Sequence, residues 1–334
     1  MQRTIIGVDL RCVPTDGSAG AGVAHAASAV VAALEKRAMS EGVTIIRLVS
    51  RDGQALSREL VARSCDALFV PSGAVSPFVT MPTFPWVHDL DIFDHPEWFP
   101  QSRLRRFVTT RLFLRGLKRA PTIFAVSEYT KRAIMRLAKT DDVNVIVTSE
   151  GVTIPPPPLE TRERRGAIIL GTVEPRKNIP MIVSLWSDVC RRVGQTLALT
   201  IAGRDGWGNV MIDETKNVIH REHDVSDARA DQLLREAKVA LVPSLSEGFG
   251  RTALEAMARG TPVIASRCGA LPEVVGEAGI MVGSTDHHAW IEAIASVFLD
   301  AQKWKQLSRA GADRAKLFSW DTVARTILAE MCGR

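Results

Sequence analysis

Cysteine is scarce in this chain and shows no pattern. Five residues, Cys12, Cys65, Cys190, Cys268 and Cys332, are spread over 334 positions. The count is odd, the spacings are wide and no C-x-x-C occurs. That fits a reducing cytosol better than a disulfide framework or a structural zinc site. Long apolar runs are missing as well: none approaches the ~18 residues that a bilayer span requires. Met1–Leu10 carries only Arg3 and reads as a buried strand with Asp9 near its end, not as a secretory signal. Strong charge of one sign is also absent. Lys and Arg number 42 against 37 Asp and Glu, a formal +5, which does not by itself call for nucleic acid. What is present is an ordinary globular mix, 46% apolar and 24% charged, which excludes intrinsic disorder and a collagen-like repeat. The length suggests about two domains. The expected location is cytoplasmic, including a peripheral position on the cytoplasmic face of the inner membrane.

Short apolar, β-rich runs alternate with helical stretches. Strands are expected at 4–10, 43–49, 67–70, 85–88, 122–126 and 144–147, with helices near 23–36, 102–119 and 128–139. Four consecutive prolines, Pro155–Pro158, then interrupt the pattern, because they can continue neither a helix nor a central strand. The alternation restarts with strands at 167–170, 197–202, 217–220, 239–242, 262–265 and 279–282 and helices near 179–193, 229–237, 251–259 and 289–300. Near-continuous apolar strands, each followed by a helix, indicate parallel sheets covered on both faces. The expectation is an α/β protein of two doubly wound, Rossmann-like domains facing a cleft. A first domain would span 1–153, a linker 154–166, a second domain 167–317 and a last segment 318–334. Ligands of such sheets bind beyond the carboxyl ends of the strands.

The richest segment runs from Val239 to Ser266. A strand ends at Pro243-Ser244, a loop Ser246-Glu247-Gly248-Phe249-Gly250 follows, and a helix then carries Glu255. The glycines let backbone N–H groups face a ligand, and the helix start favours an anion. Two carboxylates beside such a site suit neutral hydroxyls, such as those of a sugar and a ribose. The same residues also suit a Gly-rich helix start with one capping glutamate. Gly171-Thr-Val-Glu-Pro-Arg-Lys-Asn178 sits between a strand and a helix, where Arg176 and Lys177 could meet a diphosphate, or form an ordinary solvated basic turn. Arg204, after the next strand, is a further candidate neighbour of phosphate. His88-Asp89 ends a strand of the first half, where His88 could hydrogen-bond a substrate or serve structurally. Asp89-Leu-Asp91 lacks further metal ligands nearby and reads as a turn. Gly17-Ser-Ala-Gly-Ala-Gly22 is G-x-x-G-x-G and lacks the acidic partner of a dinucleotide site, so a Rossmann oxidoreductase fits poorly.

Taken together these segments resemble retaining glycosyltransferases of the GT-B fold, glycosyltransferase family four. The resemblance is carried by Ser244–Ser266, Gly171–Asn178, His88-Asp89 with Pro96-Glu97, Val126-Ser127-Glu128, Gly269–Val274 and Phe318-Ser-Trp-Asp321. It implies that the last helix crosses back onto the first domain. It implies catalytic or sugar-facing roles for Glu247 and His88, with Asp89 beside His88 on the acceptor side. Lys177 would neutralise the diphosphate. Glu255 would hold the ribose, and the N–H groups of Gly248, Phe249 and Gly250 would touch sugar or diphosphate. Glu222–Val225 would border the base, and Gly20 and Gly22 would lie near phosphates and acceptor. Many relatives carry Arg where this chain has Thr172, so Arg176 or Arg204 would supply that charge.

The resemblance further implies a nucleoside-diphosphate hexose donor, GDP-mannose by analogy, with UDP-sugars open. No cofactor or metal is expected. The acceptor would be a saccharide or lipid-linked saccharide of a bacterial-type surface polysaccharide. Epimerisation on the same fold and non-catalytic binding of a sugar nucleotide are the alternatives. Charge points to the acceptor side. Residues 1–165 hold 22 basic and 17 acidic side chains, and the remainder holds 20 of each. Between Arg103 and Lys139 eleven basic residues face one acid, Glu128, with Leu104, Phe107, Val108, Leu112, Leu114 and Leu117 interleaved. Such a segment could lie on an anionic membrane or form a solvated helix face. No nucleic-acid partner is expected, since no recognised binding module is present.

Overall fold

The computed structural model describes residues 4–13, 22–139, 143–156, 163–208, 210–212 and 218–333. The chain divides into two compact units. One comprises Met1–Pro96, Gln101–Gly151 and Ser319–Arg334, and the other Glu97–Pro100 and Val152–Phe318.

The first unit contains strands β1 (Thr4–Asp9), β2 (Val43–Leu48), β3 (Ala67–Val70), β4 (Thr83–Val87), β5 (Ile123–Ala125) and β6 (Val145–Val147). They form one parallel sheet in the order β2-β1-β3-β4-β5-β6. β3 and β4 are buried along their whole length, as the unbroken apolar runs require when helices cover both faces. Phe69, Trp86 and Phe124 are fully buried, with the Phe69 ring tilted against Trp86 and edge-on to Phe124. The helices are α1 (Gly22–Glu41), α2 (Gly53–Ala62), α3 (Asp91–Asp94), α4 (Arg103–Leu117) and α5 (Glu128–Ala138). Asp52, Ser102 and Ser127 start α2, α4 and α5 by accepting backbone N–H groups of the first turn.

The second unit contains β7 (Arg165–Leu170), β8 (Leu199–Ala202), β9 (Ile219–Glu222), β10 (Ala237–Val242), β11 (Val263–Ser266) and β12 (Ile280–Val282). They form a parallel sheet in the order β12-β11-β10-β7-β8-β9. Its helices are α6 (Ile179–Val193), α7 (Asp227–Glu236), α8 (Arg251–Ala258), α9 (Leu271–Val275), α10 (His287–Leu299) and α11 (Ala301–Ala315). β7 starts at Arg165, inside the segment expected as linker, because Arg165 already pairs in register with Ala237 of β10. The second unit also takes in Glu97–Pro100. The Trp98 carbonyl accepts from Trp207 Nε1 at 2.5 Å, and the Phe99 ring lies 5.4 Å from the Trp207 ring.

The last helix, α12 (Trp320–Met331), belongs to the first unit. Val323, Ala324, Ile327, Leu328 and Met331 form its buried stripe, at the three-and-four spacing of a one-sided helix. It packs along α1, where Arg37 donates to Asp321 at 3.1 Å. The architecture is thus two doubly wound α/β units with a C-terminal helix returned to the first.

Candidate active site

In the second sheet the chain winds from β7 out to β8 and β9, then returns to β10 on the other side of β7. The winding reverses between β7 and β10, and a crevice at their carboxyl ends is where such sheets hold ligands. A pocket lies there. Gly171, Thr172 and Lys177 line it from the loop after β7, and Ser244, Glu247 and Thr252 from the loop after β10 and the start of α8.

The loop after β7 is shaped by a close backbone approach. Gly171 and Gly203 both have φ near +135°, and a Cβ on Gly203 would collide with the Gly171 carbonyl oxygen. That approach lets the Val173 N–H bond the Arg204 carbonyl at 2.9 Å and brings Arg204 beside the loop. The turn Pro175–Lys177 then leads through Asn178, at φ +52°, into α6, whose N-terminus has no side-chain cap. The Leu245 N–H donates to the Arg176 carbonyl at 2.7 Å, tying the two loops together.

Four charges meet in this tie. Lys177 Nζ donates to Glu247 Oε1 at 2.6 Å, and Arg176 Nη1 to Glu247 Oε2 at 3.1 Å. The Ser244 hydroxyl adds a bond to Glu247 Oε1 at 2.7 Å. Arg176 Nε faces Glu174 Oε1 at 2.5 Å. Burial pushes the Glu247 carboxyl up, but the Lys177 and Arg176 cations and the Ser244 bond outweigh it and hold the group at about 2. Glu174, also buried, is pushed above the usual carboxylate range by desolvation, which Arg176 and Lys177 only partly offset.

The Glu247 loop is braced from β11. Ala270 N–H donates to the Glu247 carbonyl at 2.8 Å, and Cys268 Sγ reaches the Ser244 carbonyl at 3.0 Å. Gly250, at φ +100°, starts α8 without a side-chain cap, so this second helix N-terminus also opens beside the pocket. Gly248 and Phe249 are buried in the loop, and the Phe249 ring meets Phe318 edge-on at 5.9 Å. Glu255, the fifth residue of α8, is half-buried and accepts from Arg251 at 2.7 Å. Val225 is half-buried just before α7, and neighbouring Glu222 holds Arg229 through two bonds of 2.7 and 2.9 Å. Arg204 is exposed beyond β8. The structure therefore joins Arg176, Lys177 and Glu247 directly, with Thr172 lining the same pocket. It places Arg204 and Val225 at the ends of neighbouring elements and Glu255 within α8.

In the first unit His88 follows β4. Its Nδ1 lies 2.9 Å from Glu150 Oε1, and its Nε2 lies 2.8 Å from the Pro71 carbonyl. A carbonyl only accepts, so Nε2 carries a proton and is no general base while this contact lasts. Glu150, 3% exposed after β6, was not singled out in the sequence. Only its position beyond the carboxyl end of a parallel strand could have flagged it. Glu174 was missed too, although it lies within the basic turn. Asp89 accepts from the Asp91 N–H at 3.3 Å, the expected turn. Gly22 opens α1, and Gly20 lies outside the described residues.

α4 presents Leu104, Phe107, Val108 and Leu112 to solvent, 44–73% exposed. Among the described residues no acidic side chain pairs with its arginines, 103, 105, 106, 111 and 115; Arg111 instead lies 4.8 Å over the Phe107 ring. No helix among the described residues is long and apolar enough to cross a membrane.

Residues 154–314 match the family described as Glycosyl transferases group 1. O-antigen chain mannosyltransferase B of Escherichia coli is 29% identical over 256 residues, 70% of this chain and 66% of that protein. O-antigen chain mannosyltransferase RfbU of Salmonella typhimurium is 28% identical over 221 residues, 63% of this chain and 59% of that protein. The chain thus spans less than two thirds of the length of either relative. Among solved structures, sucrose-phosphate synthase from Thermosynechococcus elongatus superposes with TM-score 0.76 at 17% identity, covering 97% of both chains. Anabaena HepE in complex with UDP-glucose gives 0.72 at 16% identity over the whole of both chains. Residues 154–314 are accordingly a glycosyl transferases group 1 domain, carried by a chain of GT-B fold.

Proposed function

We propose that the chain is a retaining hexosyltransferase that uses a nucleoside-diphosphate sugar, with mannose from GDP-mannose as the donor group. The observation that carries this reading is the Lys177–Glu247 pair at the switch point of the second sheet, inside the family-matched residues. A cation beside two uncapped helix N-termini suits a diphosphate, and a carboxylate of low pKa suits the hydroxyls of a neutral sugar. The two O-antigen mannosyltransferase relatives support mannose as the sugar by analogy. UDP-glucose, held by HepE, marks the other donor class to be screened.

The bond between the anomeric carbon and the β-phosphate oxygen breaks as Lys177, exposed Arg204 and the helix N-termini take up the developing phosphate charge. An acceptor hydroxyl forms the new glycosidic bond on the same face of the sugar, and its proton passes to the departing phosphate oxygen. The protein's own cations and amides supply the neutralising charge, so the reaction runs without added metal. The acceptor is a saccharide or lipid-linked saccharide of a surface polysaccharide, brought to the first unit where the arginines of α4 meet an anionic membrane surface.

The decisive experiment screens GDP-, UDP- and ADP-sugars by thermal shift, then follows transfer of the labelled sugar. A stabilising donor raises the melting temperature by mass action. A Glu247→Ala variant that folds and keeps full transfer activity refutes the site assignment.

A further inference from the structure

Glu174 is 2% exposed and lies in the loop that carries Lys177, but no step of the proposed reaction uses it. Its Oε1 pairs with Arg176 Nε at 2.5 Å along one edge of the guanidinium, an ion pair without hydrogen-bond geometry. The opposite edge is held as well: Arg176 Nη1 reaches Glu247 Oε2 at 3.1 Å and the Ser246 carbonyl at 3.3 Å. Arg176 is thus wedged between two buried carboxylates. Lys177 differs. It is a point charge on a flexible stem that meets Glu247 Oε1.

A diphosphate entering the pocket competes for both cations. Lys177 can turn to a phosphate oxygen with Glu247 still paired to Arg176. Arg176 could turn only by leaving Glu174 buried and unpaired, which is the costly way to break a buried pair. The two cations therefore divide the labour. Lys177 goes to the donor, which releases Glu247 Oε1 to accept a sugar hydroxyl, while Arg176 keeps Glu247 Oε2 in place.

We infer that Arg176 is the fixed counter-ion of Glu247, and that Glu174 is a positioning residue acting through it to aim the carboxylate at the sugar half of the donor. The inference rests on the nucleotide-sugar reading above and sharpens it. Glu174 and Arg176 would govern recognition of the sugar, and Lys177 that of the diphosphate.

Calorimetric titration of the full chain with GDP and GDP-mannose, and with UDP and UDP-glucose, separates the two halves. For the pair that wild type binds, Glu174→Gln should leave the nucleoside diphosphate affinity within about twofold and weaken the nucleotide sugar about tenfold, the scale of one mis-aimed charged hydrogen bond. Lys177→Gln should weaken both ligands alike. The variant Glu174→Gln/Arg176→Met removes both partners together, the milder way to lose a buried pair, and should repeat the sugar-only loss if the single variant folds poorly. In kinetics the loss should appear in KM and kcat for the sugar donor, with product inhibition by the free diphosphate unchanged. Equal weakening of diphosphate and nucleotide sugar by Glu174→Gln or by the double variant overturns the inference, because Arg176 then serves the phosphates. Unchanged affinity for both ligands overturns it too. If wild type binds neither diphosphate, the donor reading and the inference fall together.

Discussion

Gly269 packs against the backbone of Glu247. At φ +54°, a Cβ on Gly269 would collide with the Glu247 carbonyl oxygen and lie 2.7 Å from its nitrogen. The turn after β11 thereby sets the height of the Glu247 loop, and the bond from Ala270 N–H to the Glu247 carbonyl at 2.8 Å fixes it. Gly269→Ala is therefore expected to be doubly unfavourable. The positive φ alone costs about 1–2 kcal/mol, and the overlap also pushes the Glu247 backbone away from Lys177. Thermal unfolding should show a lower melting temperature, and donor affinity should fall by more than the stability change explains. A variant with wild-type melting and wild-type donor binding contradicts this bracing role.

The Lys177–Glu247 pair makes a second prediction. Both side chains are mostly buried, so removing one leaves the other charge without its partner. Lys177→Met or Glu247→Gln alone should each destabilise by about 3–5 kcal/mol at most, and the double variant should cost less than the sum. Chemical denaturation of the four proteins gives the coupling energy directly. Additive losses would mean that the 2.6 Å contact contributes nothing to the folded state.

The parallel sheets were legible because their strands are short, continuous apolar runs, as in β3 and in 239–242 of β10, which are buried on both faces. Helices with a thin apolar stripe were not. α2 buries only Leu56 and Leu60, and α11 only Gly311 and Ala315, too little periodic signal to separate them from loop. The start of β7 was hidden because Arg165 is a charged, exposed strand end that backbone pairing places in the sheet.

In the candidate site the residues carried by sequence-local loops were readable. Lys177 and Glu247 each stand just after a strand, among glycines or beside a proline. Glu150 and Glu174 were not, because their meaning lies in long-range partners. Glu150 gains a role only when folding sets it 2.9 Å from His88, 62 positions away. Glu174 gains one only through an arginine that is itself shared with Glu247.

Acid should separate the two buried carboxylates. Glu247 sits at about 2 in the folded chain, below its ordinary value near 4.5, so the unfolded chain binds more protons between those limits. Its contribution, on the order of 3 kcal/mol, is complete above pH 4.5 and lost as the pH falls through about 2. Glu174 has the opposite sign. Raised by burial, it binds its proton more tightly when folded, so it favours the folded state at acid pH and loses that contribution as the pH rises above its ordinary value. Melting curves from pH 2 to 8 should therefore show Glu247→Gln flattening the rise between pH 2 and 4.5. Glu174→Gln should gain on wild type above about pH 4.5, once the change in fixed interactions is removed by comparing slopes. The reverse order of the two windows would mean that the cations favour Glu174 over Glu247.

α4 exposes four large apolar side chains among arginines that have no acidic partner among the described residues, an arrangement that a solvated helix does not need. Leu104, Phe107, Val108 and Leu112 share one stripe by their three-and-four spacing, and Arg111 stands over Phe107 at 4.8 Å. On an anionic bilayer that stripe would enter the headgroup boundary, with the arginines meeting lipid phosphates. Each basic residue near such a surface contributes about 1 kcal/mol, so Arg105→Gln/Arg111→Gln should weaken vesicle binding about 30-fold. Leu104→Ser/Phe107→Ser should weaken it through lost burial while leaving the salt dependence intact. Co-sedimentation with vesicles of phosphatidylcholine, with and without phosphatidylglycerol, at two salt concentrations checks both. Binding that ignores anionic lipid, or that survives loss of the arginines, would assign the +5 of residues 1–165 to solvation of the first unit.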